Sequence, residues 1–138
     1  MSVIFSKACE YGMRALVEMA RDQKDEVHLA QNLAKRLKIP APFLAKTLQA
    51  LVKEGILYST KGRSGGFSLA RPAAEIRLIE IVEAIDGLGL VRECVLGMPR
   101  CSDGQPCAVH EKWAEIRAVI LDMLNVTTLK SAAQNPRR

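Results

Sequence analysis

The stretch from Lys35 to Arg71 constrains the fold more tightly than any other part of this chain. Just before and into it, Leu29-Ala30, Leu33-Ala34 and Leu37 fall at i, i+4 and i+8, which gives a short helix one apolar face. Lys38-Ile39-Pro40 interrupts that helix, because proline disfavours helical geometry in the residue before it. Pro42 suits the first turn of a second helix, with Phe43, Leu44, Thr47, Leu48, Leu51 and Val52 on its inner face and Gly55 as its C-cap. Ile56-Leu57-Tyr58-Ser59 and Gly66-Phe67-Ser68-Leu69 then read as two short strands. Their tip, Lys61-Gly62-Arg63-Ser64-Gly65-Gly66, is glycine-rich, so the backbone can turn tightly and approach another surface closely. Two short helices across a tight turn, followed by a basic hairpin, spell a helix-turn-helix with a wing.

The same stretch concentrates the charge. It holds Lys35, Arg36, Lys38, Lys46, Lys53, Lys61, Arg63 and Arg71 against the single acid Glu54, a local +7 in a chain whose net charge is +5. A basic segment on an otherwise near-neutral body is the electrostatic footprint of a phosphate-binding surface. The second helix of a helix-turn-helix lies in the major groove with its N-terminal residues at base edges. Here that places Pro42, Phe43, Ala45, Lys46 and Gln49 at the groove, with Phe43 and Leu44 divided between groove and core. Lys46 and Gln49 can donate to base acceptors, and Lys53 is better placed for phosphate. At the wing tip, Lys61 and Arg63 would meet phosphates or the adjacent minor groove. Double-stranded DNA is expected rather than RNA, because the A-form major groove excludes side chains. Winged helices also mediate protein contacts, and the +7 charge argues for nucleic acid over that use.

The remaining elements are helical. Ser6 or its neighbours cap a first helix to about Arg21, with Ala8, Tyr11, Met13, Ala15, Leu16, Met19 and Ala20 facing inward. A polar turn follows at Arg21-Asp22-Gln23-Lys24-Asp25-Glu26, and then a short strand at Val27-His28-Leu29, with His28 at the surface or groove edge. Glu75 to Asp86 reads as another helix, and Cys107 or Ala108 to about Leu124 as a long one. On the long helix Val109, Trp113, Ile116, Ile120, Met123 and Leu124 form an apolar stripe, which is best used for packing against a second copy in a homodimer. Thr127 or Thr128 caps a last short helix. The expected architecture is mainly α: a winged helix-turn-helix domain at 1–72, and a helical dimerisation region at 73–138 with a cysteine loop at 94–107. Hydrophobic residues make up 49% and charged residues 25% of the 138 residues, which excludes disorder for most of the chain. Its longest apolar runs fall far short of the ~20 residues of a membrane helix. The N-terminus lacks the layout of a signal peptide, so a cytoplasmic protein with reduced thiols is expected.

Gly87, Gly89, Gly97, Pro99, Gly104 and Pro106 break regular structure between the last two long helices. In that stretch lie Cys94, Cys101 and Cys107, with His110 following, a spacing of C-x6-C-x5-C-x2-H. Three thiols so close together in a reducing compartment read as metal ligands rather than disulfides. An irregular loop lets the sulfurs converge, and His110 lies one helical turn beyond Cys107 on the same side. Soft thiolates suit an iron–sulfur cluster or zinc. Cys9 reads as a small buried residue, and Glu10 either bonds Arg14 at i+4 or serves as a carboxylate ligand. No substrate-pocket motif and no second redox site supports an enzyme or an electron carrier.

With the wing and the loop both in view, the chain resembles the Rrf2 family of bacterial winged-helix regulators. The resemblance runs from Ser6-Lys7 and Tyr11-Gly12-Met13-Arg14-Ala15-Leu16 to the helix after the cysteines, nearly the whole chain. Gly62-Arg63-Ser64-Gly65-Gly66-Phe67 and Cys107-Ala108-Val109-His110 carry it most specifically. It implies a homodimer that recognises DNA through Pro42 to Gln49 and a wing contact at Lys61 and Arg63. In cluster-binding members three loop cysteines hold the cluster, matching Cys94, Cys101 and Cys107. The fourth ligand varies: His110 in a [2Fe–2S] site, or an acid from the partner's first helix, at the position of Glu10 here. The C-x2-H ending favours His110 and [2Fe–2S], with [4Fe–4S] or zinc as alternatives. The six-residue first gap, where five is common in the family, is one departure, and Cys9 is a possible further thiol. The resemblance also admits a cluster-free or zinc-containing regulator acting through thiol oxidation or a protein partner.

Overall fold

A computed structural model describes residues 4–22, 27–63, 65–89, 96, 104 and 108–134. Helix α1, Lys7–Arg21, starts where Ser6 Oγ accepts from Cys9 N at 3.1 Å. Ser6 is held in turn by Asp86, whose carboxylate accepts from Ser6 N at 2.9 Å and from Ser6 Oγ. Such a cap contributes about 1 kcal/mol, and this one also ties the start of α1 to a residue eighty positions later. Helix α2, Ala30–Leu37, ends at Lys38 in the left-handed conformation (φ 58°), and Arg14 Nη2 donates to Leu37 O at 2.9 Å. A cation at a helix C-terminus complements the exposed carbonyls there. Pro40 then opens α3, Ala41–Lys53, whose Leu44, Leu48 and Leu51 are fully buried.

Strands β1, Leu57–Thr60, and β2, Gly66–Leu69, pair antiparallel with Leu57 opposite Leu69 and Thr60 opposite Gly66. The first strand begins one residue later than its sequence pattern implied. Ile56 N is drawn back to Leu51 O at 3.0 Å, which closes the end of α3. The expected strand at Val27-His28-Leu29 reduces to a bridge, with His28 and Phe67 exchanging N–H···O bonds of 2.8 Å in both directions. His28 is 5% exposed, not the surface residue expected, because this pairing sets it beneath the wing.

The helix expected over Glu75 to Asp86 divides into a 3₁₀ turn, Ala73–Glu75, and α4, Leu78–Ile85. Ile76 and Arg77 are extended because this stretch pairs with the chain after the long helix: Leu78 N to Thr127 O at 3.0 Å, and Leu129 N to Ile76 O at 2.9 Å. The Glu80 carboxylate accepts from Arg77 N at 2.9 Å and starts α4. The long helix α5, His110–Val126, is followed by α6, Leu129–Gln134. Leu129 is fully buried in the same core as Leu16, Leu48 and Ile81, so the C-terminal chain returns to the winged-helix body. A smaller apolar cluster of Cys9, Ile79, Val82 and Leu124 joins α1, α4 and α5. Among the described residues no helix is long and apolar enough to cross a membrane.

The apolar positions of α5 form two faces, not the single stripe expected. Ile120, Leu121 and Leu124 pack inward against α4, whereas Ile116, Val119, Met123 and Val126 point away and are exposed, Val119 at 71%. Steps of three, four and three residues place those four on one line along the helix.

Candidate nucleic-acid interface

Helix α3 presents its outward face as the charge pattern requires. Pro42, Phe43, Lys46, Gln49 and Lys53 are exposed and Ala45 is half-buried, while Thr47 turns inward and donates Oγ1 to Phe43 O at 3.1 Å. Phe43 is 43% exposed and Leu44 beside it is fully buried, so the two divide between surface and core. Its ring is held edge-on by Tyr11 of α1, with centroids 5.3 Å apart and planes at 86°. Lys7 Nζ lies 5.8 Å from the Tyr11 ring centroid. Sequence reasoning placed Tyr11 in the α1 core and missed this support; the resemblance of 11–16 to the family was the one signal near it.

The wing needs its paired glycines for steric reasons. A Cβ on Gly65 would stand 2.1 Å from Thr60 O, and one on Gly66 would stand 2.4 Å from His28 O. Lys61 and Arg63 are both exposed at the turn, which Gly65 N closes onto Gly62 O at 3.0 Å.

Two cations of the basic stretch are engaged by acids. Arg36 Nη1 lies 3.2 Å from Asp22 and 3.8 Å from the buried Glu18, and Arg71 pairs with Glu80 while donating to Glu75 O at 3.1 Å. No ion pair among the described residues involves Lys46, Lys53, Lys61 or Arg63. Lys46 and Lys53 of α3 and Lys61 and Arg63 of the wing are therefore open to an external anion, as are the exposed Lys35 and Lys38 at the end of α2.

Of the expected cofactor ligands, Cys94, Cys101 and Cys107 lie outside the described residues. His110 is 7% exposed at the first position of α5, and Glu10 is half-buried on α1. Among the described residues no group of three or more His, Cys, Asp or Glu is arranged to hold a metal ion. Cys9 is the small buried residue expected. Burial, and then the Asp86 carboxylate to which it hydrogen-bonds, push its thiol up to about 12, the opposite of what a thiolate ligand requires.

The sequence profile of the Rrf2 family, described as an iron-dependent transcriptional regulator, matches residues 5–135. The chain belongs to the Rrf2 family. An HTH-type transcriptional regulator of Aquifex aeolicus is 38% identical over 130 residues, covering 93% of this chain and 90% of that one. A Mycobacterium tuberculosis regulator of the same type is 36% identical over 129 residues, covering 93% and 80%. Among solved structures, the global cysteine regulator CymR of B. subtilis superposes with a TM-score of 0.80 at 21% identity, covering 96% of this chain and 97% of that one. The IscR of T. potens gives a TM-score of 0.74 at 21% identity, covering 100% and 94%. Rrf2 proteins are DNA-binding transcription regulators and not enzymes, and the fold of this member is a winged helix with a long C-terminal helix.

Proposed function

We propose that this Rrf2 regulator acts in the cytoplasm as a homodimer on a double-stranded operator, and that its affinity depends on an iron–sulfur cluster held by Cys94, Cys101, Cys107 and His110. The observation that carries the sensing reading is the place of His110. It stands three residues after the last loop cysteine, buried, at the first position of α5. The ligand set therefore ends where the helix with the exposed Ile116, Val119, Met123 and Val126 line begins. The other end of α5 is tied to the winged-helix body by the Leu78–Thr127 and Ile76–Leu129 backbone bonds.

Three thiolates and an imidazole fit a [2Fe–2S] cluster by donor chemistry, and the Glu10 carboxylate is the alternative fourth donor. When bound, the cluster supplies a centre sensitive to oxidation, iron supply or nitric oxide. The chain's own part is mechanical. Ligation through Cys94, Cys101, Cys107 and His110 would fix the start of α5, α5 would seat its outward line on the twin helix, and the two copies of α3 would take up a set separation. Half-sites one turn apart require about 34 Å between recognition helices, so a small rotation at α5 changes the fit. In each half-site Phe43, Ala45, Lys46 and Gln49 face base edges, with Pro42 at the helix start. Lys53, Lys61 and Arg63 meet the backbone or the neighbouring minor groove.

Anaerobic purification followed by an absorption spectrum and iron, sulfide and zinc analysis tests the sensing reading. A brown protein with stoichiometric iron and sulfide is expected. Colourless protein with one zinc per chain would replace sensing by a structural metal, and neither metal after reconstitution would point to thiol chemistry or a protein partner.

A further inference from the structure

The geometry points to a phosphate-binding pocket at the junction of α2, the His28 bridge and the wing, in which Asn32, Arg36 and Arg63 hold one phosphodiester of the DNA backbone. It rests on the DNA-binding reading above and adds to it a contact made by α2. The pocket has a volume of about 220 Å³ and is lined by His28, Leu29, Asn32, Arg36, Arg63 and Gly65, with Val27 at its edge. That is roughly seven times the ~30 Å³ share of a liquid water molecule, room for a phosphate group with some of its hydration.

Its lining is suited to an anion. Arg36 of α2 and Arg63 of the wing both line it, and Asn32 adds an amide side chain to the same lining. Arg36 uses Nη1 for its pairs with Asp22 and Glu18, which anchors the side chain from behind. A guanidinium has five N–H donors, so this pairing does not exhaust it. Arg63 has no ion pair among the described residues. The start of α2 adds to the field: its N-cap, Leu29, supplies no side-chain hydrogen bond, and no acid stands in its first turn. Gly65 and Gly66 bring the wing against this end of α2, since a Cβ on Gly66 would already meet the His28 carbonyl. In a helix-turn-helix the first helix crosses the DNA backbone beside the groove that the second one enters, so the pocket lies where a phosphate passes.

Asn32 separates a DNA role from a folding role. It is the third residue of α2, where a carboxylate favours the helix N-terminus but repels a phosphate. Asn32→Asp is therefore expected to keep or raise the melting midpoint while weakening binding about tenfold to duplexes of any sequence. Gln134→Glu, an equal charge change at the exposed last residue of α6, should stay within about twofold. Arg63→Gln should also weaken binding, and the double variant should lose less than the product of the two single losses, because both act on one phosphate. A wild-type protein that binds while Asn32→Asp matches Gln134→Glu overturns the pocket alone, as do fully multiplicative losses. A wild-type protein that binds no duplex overturns the DNA reading and the pocket with it. Inorganic phosphate, exchanged for chloride at equal ionic strength, separates the remaining source. If it raises the wild-type melting midpoint and Asn32→Asp removes that effect without weakening DNA binding, the pocket serves a free anion instead.

Discussion

Cys9 packs between α1, α4 and α5 with no solvent exposure, its thiol hydrogen-bonded to Asp86, the residue that also holds the cap of α1. Its pKa rises from the ordinary 9.0 to about 12 on folding. Below pH 9 the thiol is protonated in both states and this contribution to stability is complete. Between pH 9 and about 12 the unfolded chain gives up the proton and the folded one keeps it, so stability falls as pH rises. Urea midpoints between about pH 8.5 and 10.5 should fall in the wild type and fall less steeply in Cys9→Ala; parallel curves would show that the thiol carries none of this dependence. The glycines separate in the same local way. Gly66→Ala drives a Cβ against a backbone carbonyl at φ +151°, and should cost about 2 kcal/mol and loosen the wing. Gly12→Ala crowds the end of the Ile85 side chain at 2.6 Å, meets Thr47 and Ile81 at ordinary contact distances and gains about 1 kcal/mol of helix propensity, so it should stay within about 1 kcal/mol of wild type by chemical denaturation.

At the scale of elements, the proposed DNA complex divides its contacts between α3 and the wing, and α5 divides its two faces between α4 and the exterior. Lys46→Ala should reduce discrimination between operator and random duplex by about 1–3 kcal/mol, because its side chain projects from the first half of α3. Lys61→Ala should weaken both duplexes alike and flatten the salt dependence by about one unit. Equal effects on discrimination from the two variants, measured by fluorescence anisotropy, would contradict that division. Val119 lies on the outward line of α5 and touches no core in the single chain, so Val119→Glu should leave the circular-dichroism spectrum and melting cooperativity intact while converting a dimer to a monomer in sedimentation. A dimer that persists would place the interface elsewhere.

For the whole molecule, the proposed ligand set and the proposed reading helix are joined by one run of chain. The chain leaves 94–107 through buried His110, runs down α5, and is pinned by backbone bonds to residues 76–78 before α6 packs into the main core. The C-terminal region is thus part of the body that carries α3, and movement at the start of α5 has a stiff connection to it. Cys101→Ala should abolish the visible absorption of anaerobic protein and change operator affinity together; a spectrum unchanged from wild type would remove the loop from the metal site.

Much of this was legible along the chain, because it depends on near neighbours. Helical spacing marked α1 to α3, Pro40 and Gly55 marked where two of them stop and start, and Gly65-Gly66 announced a wing with no room for a side chain. The C-x6-C-x5-C-x2-H spacing is the basis of the proposed donor set, whose three cysteines lie outside the described residues. What depended on partners distant in sequence was not legible. The break in the 75–86 helix comes from pairing with 127–129, the burial of His28 from its bridge to Phe67, and the two faces of α5 from where α4 lies against it. The capture of Arg36 and Arg71 by acids, and the meeting of Arg36 with Arg63 around one pocket, are likewise decided by folding. Periodicity states which side chains are apolar and how they are spaced; only the packed chain decides which neighbour each face meets, since that choice is set by contacts the local sequence does not contain.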